Sequence, residues 1–321
     1  MSLQKMKVLI IFTTPIVIFI LLFSKIDVLE FVRSLKEINI ALLLAGMLIS
    51  IFTNIFVASI QWLKILSPLG CSITLKETML IKLGSMPAKF LLPLRTGELI
   101  EAFYLKRQKW FPISLGVSSL FIKILSNLLV LLIVMSFGYI FFFFYNNNFF
   151  YLGLFCLGLS LVCMLAIVFF KLIKRFALYL AKRINFRFYN SIEALFKIYK
   201  RLKLKDLVAM LSYSVIFWVG EFATFWVAFK ALGLDIPLYA ILIFVPLTIL
   251  ISNLPITIFG LGTREATIVF CFSKFGSSEK LLSSGLILSF IQFFLPLILS
   301  LFFVKGFLNK LFNASEFSQV T

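Results

Sequence analysis

The chain of 321 residues contains no histidine and only 13 acidic side chains. Without imidazole, the commonest general base and the commonest metal ligand are both missing. Its four cysteines, Cys71, Cys156, Cys163 and Cys271, form no C-x-x-C pair and stand among apolar residues. They read as small buried hydrophobes, so zinc sites, Cys-His nucleophiles and disulfide scaffolds are excluded. No metal and no cofactor is expected, and no G-x-x-x-x-G-K-[ST] loop for ATP occurs. Charged residues make up only 14% of the chain, against about 25% in soluble domains.

What is present is hydrocarbon. Apolar and aromatic residues make up 62% of the sequence, phenylalanine alone occurs 41 times, and the mean hydropathy is +1.09. A soluble core cannot hide that much apolar surface; a bilayer accepts it. The net charge of +18 suits anionic lipid headgroups. The basic residues lie between apolar stretches and build no basic domain, so no nucleic-acid partner is expected.

A hydrocarbon layer of about 30 Å needs roughly 20 apolar residues in a helix. Six stretches qualify: Val8–Phe23, Ile40–Leu63, Ile113–Phe144, Phe149–Phe170, Leu207–Ala231 and Leu281–Val304. The first is short enough for a signal peptide, but no small-residue cleavage pattern follows it, so it is expected to be retained. Two further stretches are interrupted. Thr78–Leu94 contains Lys82, Gly84, Pro87, Lys89 and Pro93; Ile236–Phe275 contains three prolines, Gly260, Gly262 and Arg264-Glu265. Lipid tolerates broken backbone only under cover of protein or a water-filled cavity. Each is therefore expected to be a re-entrant hairpin of two half-helices.

Charge sets the orientation. Eleven of the 31 basic residues fall between Lys171 and Lys205, which places that loop in the cytoplasm. The uncharged turn Asn146–Asn148 is then outside, Lys106, Arg107 and Lys109 are inside, Gly233–Asp235 is outside, and both termini are cytoplasmic. The first hairpin enters from the cytoplasm and the second from outside.

The two lead-ins resemble each other. Leu69-Gly70-Cys71-Ser72-Ile73-Thr74-Leu75 and Leu232-Gly233-Leu234-Asp235-Ile236-Pro237-Leu238 share both leucines, the glycine and the isoleucine. Each leads into an interrupted apolar stretch and an Arg/Glu cluster, on opposite sides of the membrane. That is the pattern of inverted-topology repeats in transporters, which place the substrate where the broken segments meet. The expected architecture is an all-α polytopic membrane protein, one transmembrane domain over 1–321. It has about six full spans plus two re-entrant hairpins; the repeats lie near 40–110 and 207–280, separated by the basic loop 171–205.

Ionisable groups at membrane depth default to function. In the first cluster, Pro93-Leu94-Arg95-Thr96-Gly97-Glu98 with Glu101, the two carboxylates share a helix face, and Gly97 lets backbone approach a ligand. In the second, Gly260-Leu261-Gly262-Thr263-Arg264-Glu265, two glycines before a half-helix can form an anion nest, with Arg264 adding charge. The alternative is that Arg and Glu pair to hold the hairpin tips together. Lys123 and Asn127 lie one helical turn apart, and Glu221 sits mid-span; they either line a lipid path or form a Lys123–Glu221 pair. Trp62, Trp110, Trp218 and Trp226 are interfacial or packing residues.

Arg95-Thr96-Gly97-Glu98 behind Pro93, with Gly260-Leu261-Gly262-Thr263-Arg264-Glu265 behind Pro255, resembles the lysylphosphatidylglycerol synthase transmembrane-region, or flippase-like, family, which includes the membrane half of the multiple-peptide-resistance factor. The resemblance covers essentially the whole chain by span pattern. It implies a polytopic flippase or related module handling anionic, aminoacylated or polyprenyl-linked lipids. Members with synthase activity carry a soluble acyltransferase-like domain after the membrane part. This chain ends about 17 residues past its last expected span, so synthase activity is not carried over.

Three functions compete. The first is a lipid translocator of the cell membrane that binds a phosphate headgroup through Arg95, Gly97, Glu98, Glu101, Gly260, Gly262, Arg264 and Glu265. The second is a non-catalytic membrane partner of a separate glycosyltransferase or aminoacyl-lipid synthase. The third is an integral-membrane enzyme with Glu98 or Glu265 as base, which the missing histidine and nucleophile motif disfavour; no enzymatic activity is expected.

Overall fold

The computed structural model describes residues 3–24, 26–143, 203–254 and 260–312, with Gly158 and Thr257 as isolated positions. Every regular element among them is a helix. In chain order these are α1 (Leu3–Phe23), α2 (Val28–Lys36), α3 (Ile40–Leu69), α4 (Leu75–Gly84), α5 (Met86–Leu91), α6 (Leu99–Lys109), α7 (Ile113–Phe143), α8 (Leu204–Ala231), α9 (Leu238–Ser252), α10 (Thr263–Cys271) and α11 (Ser278–Phe312). A 3₁₀ turn, Pro93–Glu98, joins α5 to α6.

Four of them, α3, α7, α8 and α11, are each long and apolar enough to cross a bilayer. They match four of the six expected spans. The stretch Val8–Phe23 lies within α1. Phe149–Phe170, the Asn146–Asn148 turn and residues 171–202 of the basic loop lie outside the described residues.

Local chemistry sets the helix starts. Asp27 caps α2, accepting from the Leu29 and Glu30 amides, and Asn39 caps α3 through the Leu42 amide at 3.1 Å. Thr74 caps α4 and Ser277 caps α11 in the same way. Each side-chain oxygen satisfies an amide that the first turn leaves without a partner. The first interrupted stretch is longer than its expected bounds. Within Thr78–Leu94 the chain forms two helices, α4 and α5, broken at Ser85 before Pro87. A second break at Leu92, before Pro93, leads through the 3₁₀ turn to α6, which the expected bounds did not include. The second forms two, α9 and α10.

The repeated lead-in is a repeated helix stop. After α3, the Gly70 amide donates to the Ser67 carbonyl and the Cys71 amide to that of Leu66, at 3.1 and 3.3 Å. After α8, the Gly233 amide donates to Lys230 and the Leu234 amide to Phe229, both at 3.0 Å. Both glycines are left-handed, with φ of 86° and 69°. This is one Schellman cap used twice, and its left-handed position accounts for the shared glycine.

The packing is reciprocal. Helix α4 packs on α11, and α9 packs on α7; α6 lies on α7 as α10 lies on α11, and α3 packs on α8. Exchanging α3 with α8, α4 with α9, α6 with α10 and α7 with α11 leaves these pairings unchanged. The start of α4 lies beside the end of α6, and the residues before α9 lie beside those after α10. Glu77 near the start of α4 pairs with Lys109 at the end of α6 at 3.0 Å, and Gln108 donates to the Lys310 carbonyl. At the other end of α3, the Asn39 amide donates to Ala231 at 2.8 Å. Ser34 and Ser283 share a hydrogen bond of 2.7 Å, and Gly276 presses on Leu234. Two aromatic cores fix this arrangement: Tyr104 stacks on Phe307 with ring centroids 5.3 Å apart, and Phe229 meets Phe272 at 4.9 Å.

Candidate functional site

The loop before α10 is shaped by Gly260 and Gly262, with φ of 72° and 82°. A Cβ at Gly260 would stand 2.6 Å from the Ser252 carbonyl oxygen, so α9 and the loop close on each other only around hydrogen. The Gly262 amide, one of the donors expected to receive a ligand anion, donates to Glu265 Oε2 at 2.6 Å. Ser289 Oγ donates to the other oxygen at 2.5 Å, and Glu265 is fully buried. The nest is thus filled by the helix's own carboxylate, which suits the positive end of a helix dipole. Arg264 turns elsewhere: Nη1 donates to Gln292 Oε1 at 2.6 Å, and the guanidinium lies 4.6 Å from the Phe293 ring centroid. Arg264 and Glu265, neighbours in sequence, thus take different partners at this tip.

Gln292 leads to Glu221. Its amide Nε2 donates to Glu221 Oε2 at 2.7 Å, and Asn54 Nδ2 donates to Oε1 at 2.6 Å. Both amides sit on π-turns, Phe52–Val57 within α3 and Phe290–Phe294 within α11. The extra residue in such a turn re-aims side chains and is frequent at functional sites. The Lys123–Glu221 pair does not form among the described residues. Lys123 lies over the Trp62 ring instead, 6.0 Å from its centroid, and Asn127 Oδ1 accepts from Gln61 Nε2 at 2.8 Å. Gln61 also donates to Ser214 at 2.7 Å, tying α3, α7 and α8 in a buried polar knot. Trp62 and Trp218 are buried with their indole N–H groups bonded to Ser119 and the Asn127 carbonyl; Trp110 and Trp226 are exposed.

In the first interrupted stretch, Glu101 is buried and accepts from Ser85 Oγ at 3.2 Å and from Lys89, its ion-pair partner. The close approach that Gly97 permits is to the protein itself: a Cβ there would lie 2.4 Å from the Lys89 Cα. Arg95 and Glu98 belong to the 3₁₀ turn, so Glu98 precedes the helix that carries Glu101. Glu98 is half-buried with no hydrogen bond or ion pair among the described residues. Lys82, on α4, is half-buried and likewise without such a bond. Its charged surroundings are Lys123, Lys89, Glu101 and Glu98. Of the two carboxylates, Glu101 is engaged by Lys89 and Glu98 has no such partner among the described residues.

The two clusters meet electrostatically at Glu221, which feels Arg264 from the second interrupted stretch and Lys82 from the first. The residues that sequence reasoning passed over are Asn54, Gln61, Gln292 and the pair Lys82 and Lys89, noted there only as interruptions. The available signal was polarity inside apolar spans: Asn54 and Gln61 fall two helical turns apart on one face. Cys71 and Cys271 are free thiols; Cys156 and Cys163 lie outside the described residues.

Comparison with known proteins agrees with this membrane architecture. The family described as "Lysylphosphatidylglycerol synthase TM region" matches residues 6–300 of the chain. A comparison with curated proteins found no match.

Proposed function

The chain belongs to the lysylphosphatidylglycerol synthase TM-region family, and we propose that it carries a phosphate-bearing lipid headgroup between the leaflets of the cell membrane. Its membrane-embedded, lipid-related character follows from the family and from the four apolar helices. In this reading the interrupted stretches are re-entrant hairpins of two inverted repeats, near 40–110 and 207–280. The first opens to the cytoplasm and the second to the outside, with both termini cytoplasmic. The exchange of packing partners between α3–α7 and α8–α11 supports that pairing, as does the closeness of each stretch's start to its end.

One observation carries the reading: Arg264 of the second interrupted stretch is linked through Gln292 to the buried Glu221, a charged network inside apolar helices. Charge at membrane depth is costly and is retained where something polar passes. The headgroup phosphate meets Lys82 and Lys123, while Glu98, which has no partner among the described residues, receives a cationic substituent if the headgroup bears one. Acyl chains stay in lipid. The protein performs no bond chemistry on its cargo.

Reconstituted into vesicles, the protein is expected to move a labelled phosphatidylglycerol faster than a diacylglycerol of equal chain length. Equal rates for the two would overturn headgroup transport and leave a non-catalytic partner of a lipid-modifying enzyme as the reading.

A further inference from the structure

A groove of about 650 Å³ opens beside the first interrupted stretch, away from the buried tips. Its wall is apolar, built by Leu80 and Leu83 of α4 and Phe303 of α11. Its rim is basic, with Lys76, Lys109 and Lys310. Lys109 is neutralised by Glu77 at 3.0 Å. Lys76 and Lys310 are exposed and carry no ion pair among the described residues. The groove therefore combines two uncompensated positive charges with a hydrocarbon wall, at the end where α6 finishes beside α11.

We propose that this groove binds one anionic phospholipid, its phosphate between Lys76 and Lys310 and the start of an acyl chain along Leu80, Leu83 and Phe303. Charge complementarity selects the occupant. A soluble anion would leave the apolar wall facing water, and a neutral lipid would leave the two ammonium groups unmatched. Basic pockets between membrane helices take anionic headgroups by this pairing, and a cavity of this size accommodates a headgroup with its glycerol. The site is separate from the charged tips and does not depend on transport. Bound there, the lipid ties α4 to α11, one of the reciprocal helix contacts.

The test is lipid binding by native mass spectrometry on the full chain in detergent, with phosphatidylglycerol and phosphatidylcholine as probes. The wild-type protein should retain one tightly bound phosphatidylglycerol in preference to phosphatidylcholine. The double variant Lys76→Gln/Lys310→Gln should weaken phosphatidylglycerol roughly thirtyfold and leave phosphatidylcholine unchanged. Lys280→Gln, at the opposite end of the molecule, should bind like wild type. Equal retention of the two lipids, or unchanged binding in the double variant, would overturn the site. Displacement of phosphatidylglycerol by millimolar inorganic phosphate would also overturn it, because the groove would then be reading an ion. Transport measurements do not enter this comparison, so a failure of translocation and a failure of this site remain distinguishable.

Discussion

Glu221 accepts a 2.6 Å hydrogen bond from the side-chain amide of Asn54, 167 residues away in sequence. The bond joins α8 to the π-turn of α3, and Gln292 completes it from the π-turn of α11. Three helices are thereby fixed around one carboxylate. Asn54→Ala and Gln292→Ala should each destabilise the protein by about 1–3 kcal/mol, the cost of leaving a buried polar group without its partner. The double variant should be non-additive by about 0.5–3 kcal/mol in a thermal-unfolding cycle. Strict additivity would mean that the two amides act independently.

Lys82 and Glu98 should separate function from stability. Lys82 stands among Lys89, Lys123, Glu98 and Glu101. Its ammonium has no hydrogen bond or ion pair among the described residues, so Lys82→Met is expected not to lower the thermal midpoint, while lowering transfer of a phospho-headgroup lipid at least tenfold. Glu98→Gln breaks no bond among the described residues and should stay within about 0.5 kcal/mol of wild type, with the same loss of transfer. A fall in midpoint without loss of transfer would make both residues structural.

Arg264 is expected to behave differently. The sequence alone suggests that Arg264→Ala removes transport and leaves folding intact. Its bond to Gln292 places it within the Glu221 network, so the variant should also lose about 1–3 kcal/mol. Arg264→Lys should restore part of the stability but not the planar contact with Phe293. Thermal unfolding of the three proteins, compared with their transfer rates, checks this.

Two glycines are predicted to tolerate no side chain. Gly260→Ala combines a left-handed backbone with a contact of 2.6 Å, and the left-handed conformation alone costs roughly 1–2 kcal/mol. Gly97→Ala drives a methyl group to 2.4 Å from the Lys89 Cα, separating the turn from α5. Folded yield should fall for both, whereas Gly306→Ala, in open space, should express like wild type.

Orientation is tested with single cysteines on a cysteine-free background. Position 235, exposed beside Gly233, should react with an impermeant maleimide added outside, and position 106 only after permeabilisation. Of the native thiols, Cys71 would report poorly in any case, because burial pushes its thiol up to about 11. The reverse pattern would invert the topology and the direction in which each hairpin opens.

A composition of 62% apolar and 14% charged residues places the chain in lipid before any fold is considered. Some helix stops are local as well, although Pro15 and Pro246 stand inside α1 and α9. A Schellman glycine at Gly70 and again at Gly233, and prolines at 87 and 93, are local instructions that need no partner to act. The reciprocal packing was legible only as four matching residues, because repetition of a cap says nothing about which helix each stretch will touch. The partners of the buried charges came from the packing of distant helices. Glu265 closes on its own helix start, Lys123 settles over Trp62, and Glu221 takes two amides instead of a lysine. The last of these rests on Asn54 and Gln292, which sit in π-turns of α3 and α11, and such turns arise from packing between helices, which no spacing along the chain encodes.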